Sequence, residues 1–362
     1  MLHMRRRSFL RSVAGGLLAG SGSIGRTAAA GTGIRLGFDT YTLNSYGWTA
    51  FQFLDYAASQ KLDTIQFDLP SFDAAYLKQV REHAKKAGVT IDGGLGCICP
   101  TASGWPSSRG EPVQFLRNGL RANHDVGSSV IRCYLGGRGE RSGRIPLEAH
   151  IETLVKLLRA VRSEALDLGM KFGIENHGDL LAGEVRDLIE AAGRDFVGAT
   201  IDTGNPVTLG EDPMVTLEIL GPYAVTTHIR DSVVFEHPRG AAVQWVALGE
   251  GSIDFVSFFE RYRQLCPQVA VNLEILTGRP PRLVPFLEAD FWKEFPNAKA
   301  SEFARFVGLV RKGHSFMHSM MVAPDGQVPP EYTAALRLQQ RLDLERSLDY
   351  ARKTLKLGLR AA

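Results

Sequence analysis

From residue 34 onward, short runs of β-branched and other apolar residues alternate with longer stretches in which apolar positions recur every three or four residues. Runs of the first kind occupy 34–39, 64–68, 89–95, 129–135, 171–176, 197–202, 224–231 and 269–275. Such alternation predicts eight βα units and a parallel sheet. Between the runs, Phe51 with Leu54 and Ala58, Tyr76 with Leu77, Val80 and Ala84, and Ile151 with Leu154, Val155 and Leu158 each mark one face of a helix. Gly88 and Gly169 stand where helices should end; Asp212 before Pro213, and Ser252 before Ile253 and Asp254, stand where helices should begin. No Gly-, Pro- or Ser-rich linker follows residue 33, so residues 31–362 are expected to form one α/β domain, a (β/α)8 TIM barrel, with a doubly wound sheet as the structural alternative. Long loops are expected after strand 7 (232–250) and strand 8 (a C-terminal extension at about 276–328). A final amphipathic helix at 330–357 should close the barrel or make a subunit contact, which leaves room for a homo-oligomer.

The first 30 residues follow a different pattern. Arg5, Arg6 and Arg7 precede Ser8, Phe9 and Leu10, an uncharged Gly- and Ala-rich stretch follows Arg11, and Ala28 and Ala30 supply small side chains for cleavage. This order predicts a signal peptide at 1–30, with the twin-arginine translocase as partner during export and a bacterial periplasmic or otherwise exported location. No later segment has the roughly 18 consecutive apolar residues of a membrane span, so no stable membrane association is expected. The formal charge of +3 includes five arginines within those first 30 residues. The remainder is close to neutral and offers no basic field for nucleic acid, which favours a small, uncharged partner such as a carbohydrate. Cys97, Cys99, Cys133 and Cys266 lack metal-ligand spacing and read as buried free thiols.

Four strand ends carry the chemistry. Glu175 lies in Gly173-Ile174-Glu175-Asn176-His177, Asp202 in Ile201-Asp202-Thr203-Gly204-Asn205, His228 in Thr227-His228-Ile229-Arg230-Asp231, and Glu274 in Asn272-Leu273-Glu274-Ile275. Their separations of 27, 26 and 46 residues amount to one βα repeat, a second, and a third enlarged by an insertion. Parallel neighbouring strands would bring the four side chains to one rim. Three carboxylates and an imidazole suit one hard or borderline divalent ion, Mn²⁺ first, with Mg²⁺, Co²⁺ or Zn²⁺ as alternatives. His177, two residues beyond Glu175, and Asn205, Arg230 and Asp231 are candidates for contacting substrate.

The Glu-Asn-His, Asp-Thr-Gly-Asn and His-x-Arg-Asp segments, with Leu248-Gly249-Glu250-Gly251 ahead of Ile253-Asp254-Phe255, resemble the xylose-isomerase-like TIM-barrel superfamily of sugar isomerases and epimerases, often called sugar phosphate isomerase/epimerases. The resemblance implies that Glu175 and Glu274 are at once metal ligands and catalytic carboxylates. It also implies a metal-dependent isomerase or epimerase that abstracts a proton next to a carbonyl, the metal steadying the resulting enediolate. The same machinery would serve a lyase or dehydratase acting on keto-sugars or 3-keto-glycosides. A non-catalytic sugar-binding barrel and an apurinic-endonuclease-like nuclease are the remaining alternatives. Asn205 stands where ketose 3-epimerases usually carry a histidine.

Overall fold

A computed structural model describes residues 33–323 and 328–360. The expected signal at 1–30 lies outside the described residues. Eight parallel strands form a nearly closed barrel: β1 (Leu36–Asp39), β2 (Thr64–Asp68), β3 (Thr90–Cys97), β4 (Val130–Tyr134), β5 (Lys171–Glu175), β6 (Val197–Asp202), β7 (Ala224–His228) and β10 (Val271–Leu273). They are ordered β10-β1-β2-β3-β4-β5-β6-β7, with helices between them. The ring is joined at its seam just past β7, where Ile229 N–H donates to Asn272 O (2.8 Å) and Glu274 N–H donates to Ile229 O (3.0 Å). This arrangement is the TIM barrel that the alternating pattern predicted.

Local chemistry accounts for the helix boundaries. Helix Ala50–Ser59 opens with a reciprocal Thr49 and Gln52 capping box. Asp212 caps Pro213–Leu220 as expected, and Gly88 ends Ala74–Ala87 at φ +67°. The helix after residue 252 starts two residues later than Ser252 suggested: Asp254, not Ser252, accepts the N–H of Ser257 and opens Phe255–Leu265.

The expected seventh strand, 224–231, divides in the structure. Its barrel part stops at His228, and β8 (Asp231–His237) turns back on β9 (Gly240–Val246) in a hairpin that β11 (Arg282–Val284) extends to three antiparallel strands. Gly240, at φ +145°, leaves no room for a side chain; a Cβ there would lie 2.3 Å from Val284 O. Val234, Val243 and Val284 bury against Phe291, Phe295, Phe306 and Val310, so both insertions share a second apolar core. The last helix, Thr333–Lys353, buries Leu344, Leu348 and Ala351 in the barrel's own core and so closes it. All four cysteines are free and buried.

Candidate metal centre

Glu175 and Asp202 end β5 and β6, His228 ends β7, and Glu274 follows β10 directly. In-register pairing sets Asp202 beside His228 across β6 and β7. One ligand atom from each of the four lies within 4.8 Å of every other, and all four residues are buried. His228 Nδ1 is 3.3 Å from Glu175 Oε1 and 3.4 Å from Glu274 Oε2. It nevertheless has no hydrogen-bond partner of acceptable geometry among the described residues. A buried nitrogen left orphaned beside carboxylate oxygens fits the coordination shell of a cation, and the three-carboxylate, one-imidazole donor set suits a hard or borderline divalent ion.

Two arginines hold the carboxylates. Arg132, in the middle of β4, donates from Nε to Glu175 Oε2 at 2.5 Å and stacks over Tyr134. Arg230 donates from Nη2 to Asp202 Oδ2 (2.5 Å) and pairs through Nη1 with Glu274 Oε2 (3.0 Å). Gly204 makes the second arrangement possible, because a Cβ at that position would meet Arg230 Nε at 2.4 Å. Burial alone would raise the Glu175 carboxyl, but Arg132 and His228 more than offset it and hold the group well below the usual carboxylate range. Glu274 is likewise pushed up by burial, yet Arg230 and His228 bring it down to about 2. Asp202 goes the other way, to about 6, because burial outweighs Arg230. For His228, burial favours the neutral ring, but Glu274 and Glu175 more than reverse that and hold it well above its ordinary value. A divalent cation would replace one positive charge between the glutamates with two.

Above the centre lies a cavity of about 590 Å³ into which Glu274, Arg230, Asn205 and His177 open. Asn205 also donates from Nδ2 to Glu175 Oε1 (3.3 Å). His177 is fixed by a 2.8 Å contact of Nδ1 with Gly136 O and by stacking on Tyr134 with ring centroids 3.8 Å apart. Asp231 is not brought to this cavity. Its carboxylate accepts the N–H groups of Gly249 (3.0 Å), Gly251 (2.9 Å) and Ser232 (2.7 Å), tying the end of the hairpin back to its start. Both insertions reach the cavity: Trp245 of β9 donates from Nε1 to Gly204 O (3.0 Å) and packs against the guanidinium groups of Arg230 (4.3 Å) and Arg282 (4.1 Å). Arg132, Tyr134, Asp39, Asp68 and Trp245 line the cavity without having been singled out in the sequence. For Arg132 a signal existed, a charge inside the apolar run Val130-Ile131-Arg132-Cys133-Tyr134.

Residues 42–294 match the family described as xylose isomerase-like TIM barrel, and the chain belongs to that family. A curated relative, the uncharacterised protein YihM of Escherichia coli K12, is 27% identical over 130 residues; the match spans 36% of this chain and 38% of YihM. Among solved structures, the fold is similar to D-psicose 3-epimerase with D-tagatose from Clostridium cellulolyticum H10 (TM-score 0.57, 14% identity, 87% of this chain and 99% of that one). It is also similar to the probable 3-DHS dehydratase AsbF of Bacillus anthracis (TM-score 0.53, 13% identity, 66% of this chain and 92% of that one).

Proposed function

We propose that this protein is a metal-dependent isomerase or epimerase of a small carbohydrate, working by proton transfer at a carbon next to a carbonyl. The observation that carries the reading is the placement of Glu175 and Glu274 within 3.4 Å of the orphaned His228 Nδ1, with Glu274 open to the cavity. Glu175, Asp202, His228 and Glu274 would hold one divalent ion, Mn²⁺ first among Mn²⁺, Mg²⁺, Co²⁺ and Zn²⁺. When bound, that ion supplies positive charge for the substrate's carbonyl and neighbouring hydroxyl oxygens.

The remaining work falls to the chain's own groups. Glu274, kept ionised by Arg230, faces the cavity and takes the proton; the C–H electron pair becomes the C=C bond of an enediolate. Protonation of the same carbon from the opposite side gives the epimer, and protonation of its neighbour gives the aldose or ketose isomer. Glu175, buried and held by Arg132, is the second carboxylate in reach of the centre. His177 and Asn205 present polar groups to substrate hydroxyls, and Trp245 with Tyr134 lines the cavity and excludes water.

The test is incubation of metal-loaded protein with a panel of ketohexoses in heavy water. Solvent deuterium should enter at the carbon next to the carbonyl, with no change in composition, and Glu274→Gln should lower that rate at least about a hundredfold. Unaltered turnover in Glu274→Gln, or after complete chelation of metal, contradicts the reading. Release of water or an alcohol would move the reaction to elimination.

A further inference from the structure

On the ring edge of His228 opposite the glutamates, a line of buried polar side chains crosses the barrel interior. Gln66 of β2 meets His228 Nε2 through its Oε1, and its Nε2 donates to Thr226 Oγ1 (2.9 Å). Thr226 Oγ1, two residues before His228 on β7, donates in turn to Asp92 Oδ2 (2.8 Å) on β3. Asn272 Nδ2 on β10 donates to the same Asp92 oxygen (2.9 Å) and to Thr226 Oγ1 (3.2 Å).

With Asp92 ionised, as its two donors Thr226 and Asn272 favour, this line has one consistent direction. Thr226 has a single hydroxyl hydrogen, and Asp92 takes it, so the Thr226 oxygen is left to accept from amide N–H groups. Gln66 must then point its NH₂ at Thr226 and its carbonyl oxygen at His228. A carbonyl oxygen only accepts, so His228 Nε2 carries a hydrogen and donates it. In the neutral imidazole that a cation requires, the lone pair therefore resides on Nδ1, the nitrogen found orphaned beside Glu175 and Glu274. The nearest other anion, Asp39 Oδ2, is 3.7 Å from Nε2 and too far to take over the hydrogen bond.

We propose that Gln66 is a positioning residue that fixes the Nε2–H form of His228 and thereby presents Nδ1 to the metal. The proposal rests on the metal-centre reading. Full-length protein is titrated with Zn²⁺ alone by calorimetry, as wild type, His228→Ala, Gln66→Met and Gln66→Glu. Gln66→Met keeps the length of the side chain but removes the acceptor, and should weaken Zn²⁺ binding about ten- to a hundredfold. Gln66→Glu restores an acceptor and should recover affinity to within about threefold of wild type. In the Zn²⁺-loaded wild type, ¹⁵N spectra should show a protonated Nε2 and a metal-bound Nδ1 for His228, the signal assigned by its loss in His228→Ala. That measurement needs no Gln66 variant to fold.

Should His228→Ala lose Zn²⁺ while Gln66→Met binds it like wild type, or should the spectra show Nε2 as the ligating nitrogen, the role of Gln66 is wrong and the metal centre stands. Failure of wild type itself to bind Zn²⁺ would overturn both.

Discussion

At the scale of single residues, the candidate centre depends on charge compensation as much as on its four converging side chains. Glu175 is fully buried, and Arg132 is the cation in direct contact with it in the metal-free protein, apart from the protonated His228. Removing one partner of a buried ion pair costs about 3–5 kcal/mol because the other charge is stranded. Arg132→Met should therefore lower the unfolding free energy of the metal-free protein by about that amount in urea titrations. The loss should be smaller with metal bound, because the ion takes over part of the compensation. Equal losses with and without metal would show that Arg132 does not act through the charge of Glu175. The convergence of Glu175, Asp202, His228 and Glu274 was legible in the sequence because each sits beside a recognisable strand-end motif. Arg132 carried a signal, a charge inside an apolar strand, but Gln66 did not stand out among Thr64, Gln66 and Asp68 of its strand, and only the barrel tells which partners each one meets.

At the scale of elements, the boundary between β7 and β8 shows where local pattern runs out. The stretch 224–231 reads as one strand and 232–250 as a loop, whereas the chain is extended on both sides of a break at Ile229 and Arg230. That break is set by partners far along the chain, above all the Asp231 carboxylate binding Gly249 and Gly251. A second remote carboxylate holds a helix start: Glu211 accepts the N–H of Ala182, the first residue of Ala182–Ala192, and the hydroxyl of Thr216 (2.9 Å). Burial pushes the Glu211 carboxyl from 4.5 up to about 7. The folded state thus holds this proton more tightly than the unfolded chain does, a contribution fully present below about pH 4.5 and lost as pH rises through about 7. The decline is at most about 1.4 kcal/mol per pH unit within that window. Glu211→Gln lacks it, so the stability of the variant relative to wild type should rise between about pH 4.5 and 7 and then level off. Denaturation at a series of pH values checks this, and a difference independent of pH would contradict it.

At the scale of the whole molecule, the repeating βα pattern gave the barrel, and the two overlong connections gave the place of the insertions but not their form. Their three-stranded sheet with a core of its own draws β8 and β9 from one insertion and β11 from the other, a pairing no local periodicity reveals. The last helix seals the barrel over β10, with Leu348 fully enclosed in the main core. Leu348→Ala should cost about 2–5 kcal/mol by transfer and cavity terms, read as a lowered denaturation midpoint with unchanged slope. A loss under about 1 kcal/mol would show that the helix is not part of the cooperative core. The barrel, the helix that closes it and the hairpin that reaches its cavity all serve the convergence of four side chains from four strands at one point. The most direct test of that convergence is the divalent-metal content of purified full-length protein after Mn²⁺ loading and removal of free ion, for wild type and His228→Ala. About one ion per chain in wild type and near none in the variant is the predicted result; equal content in the two proteins would contradict it.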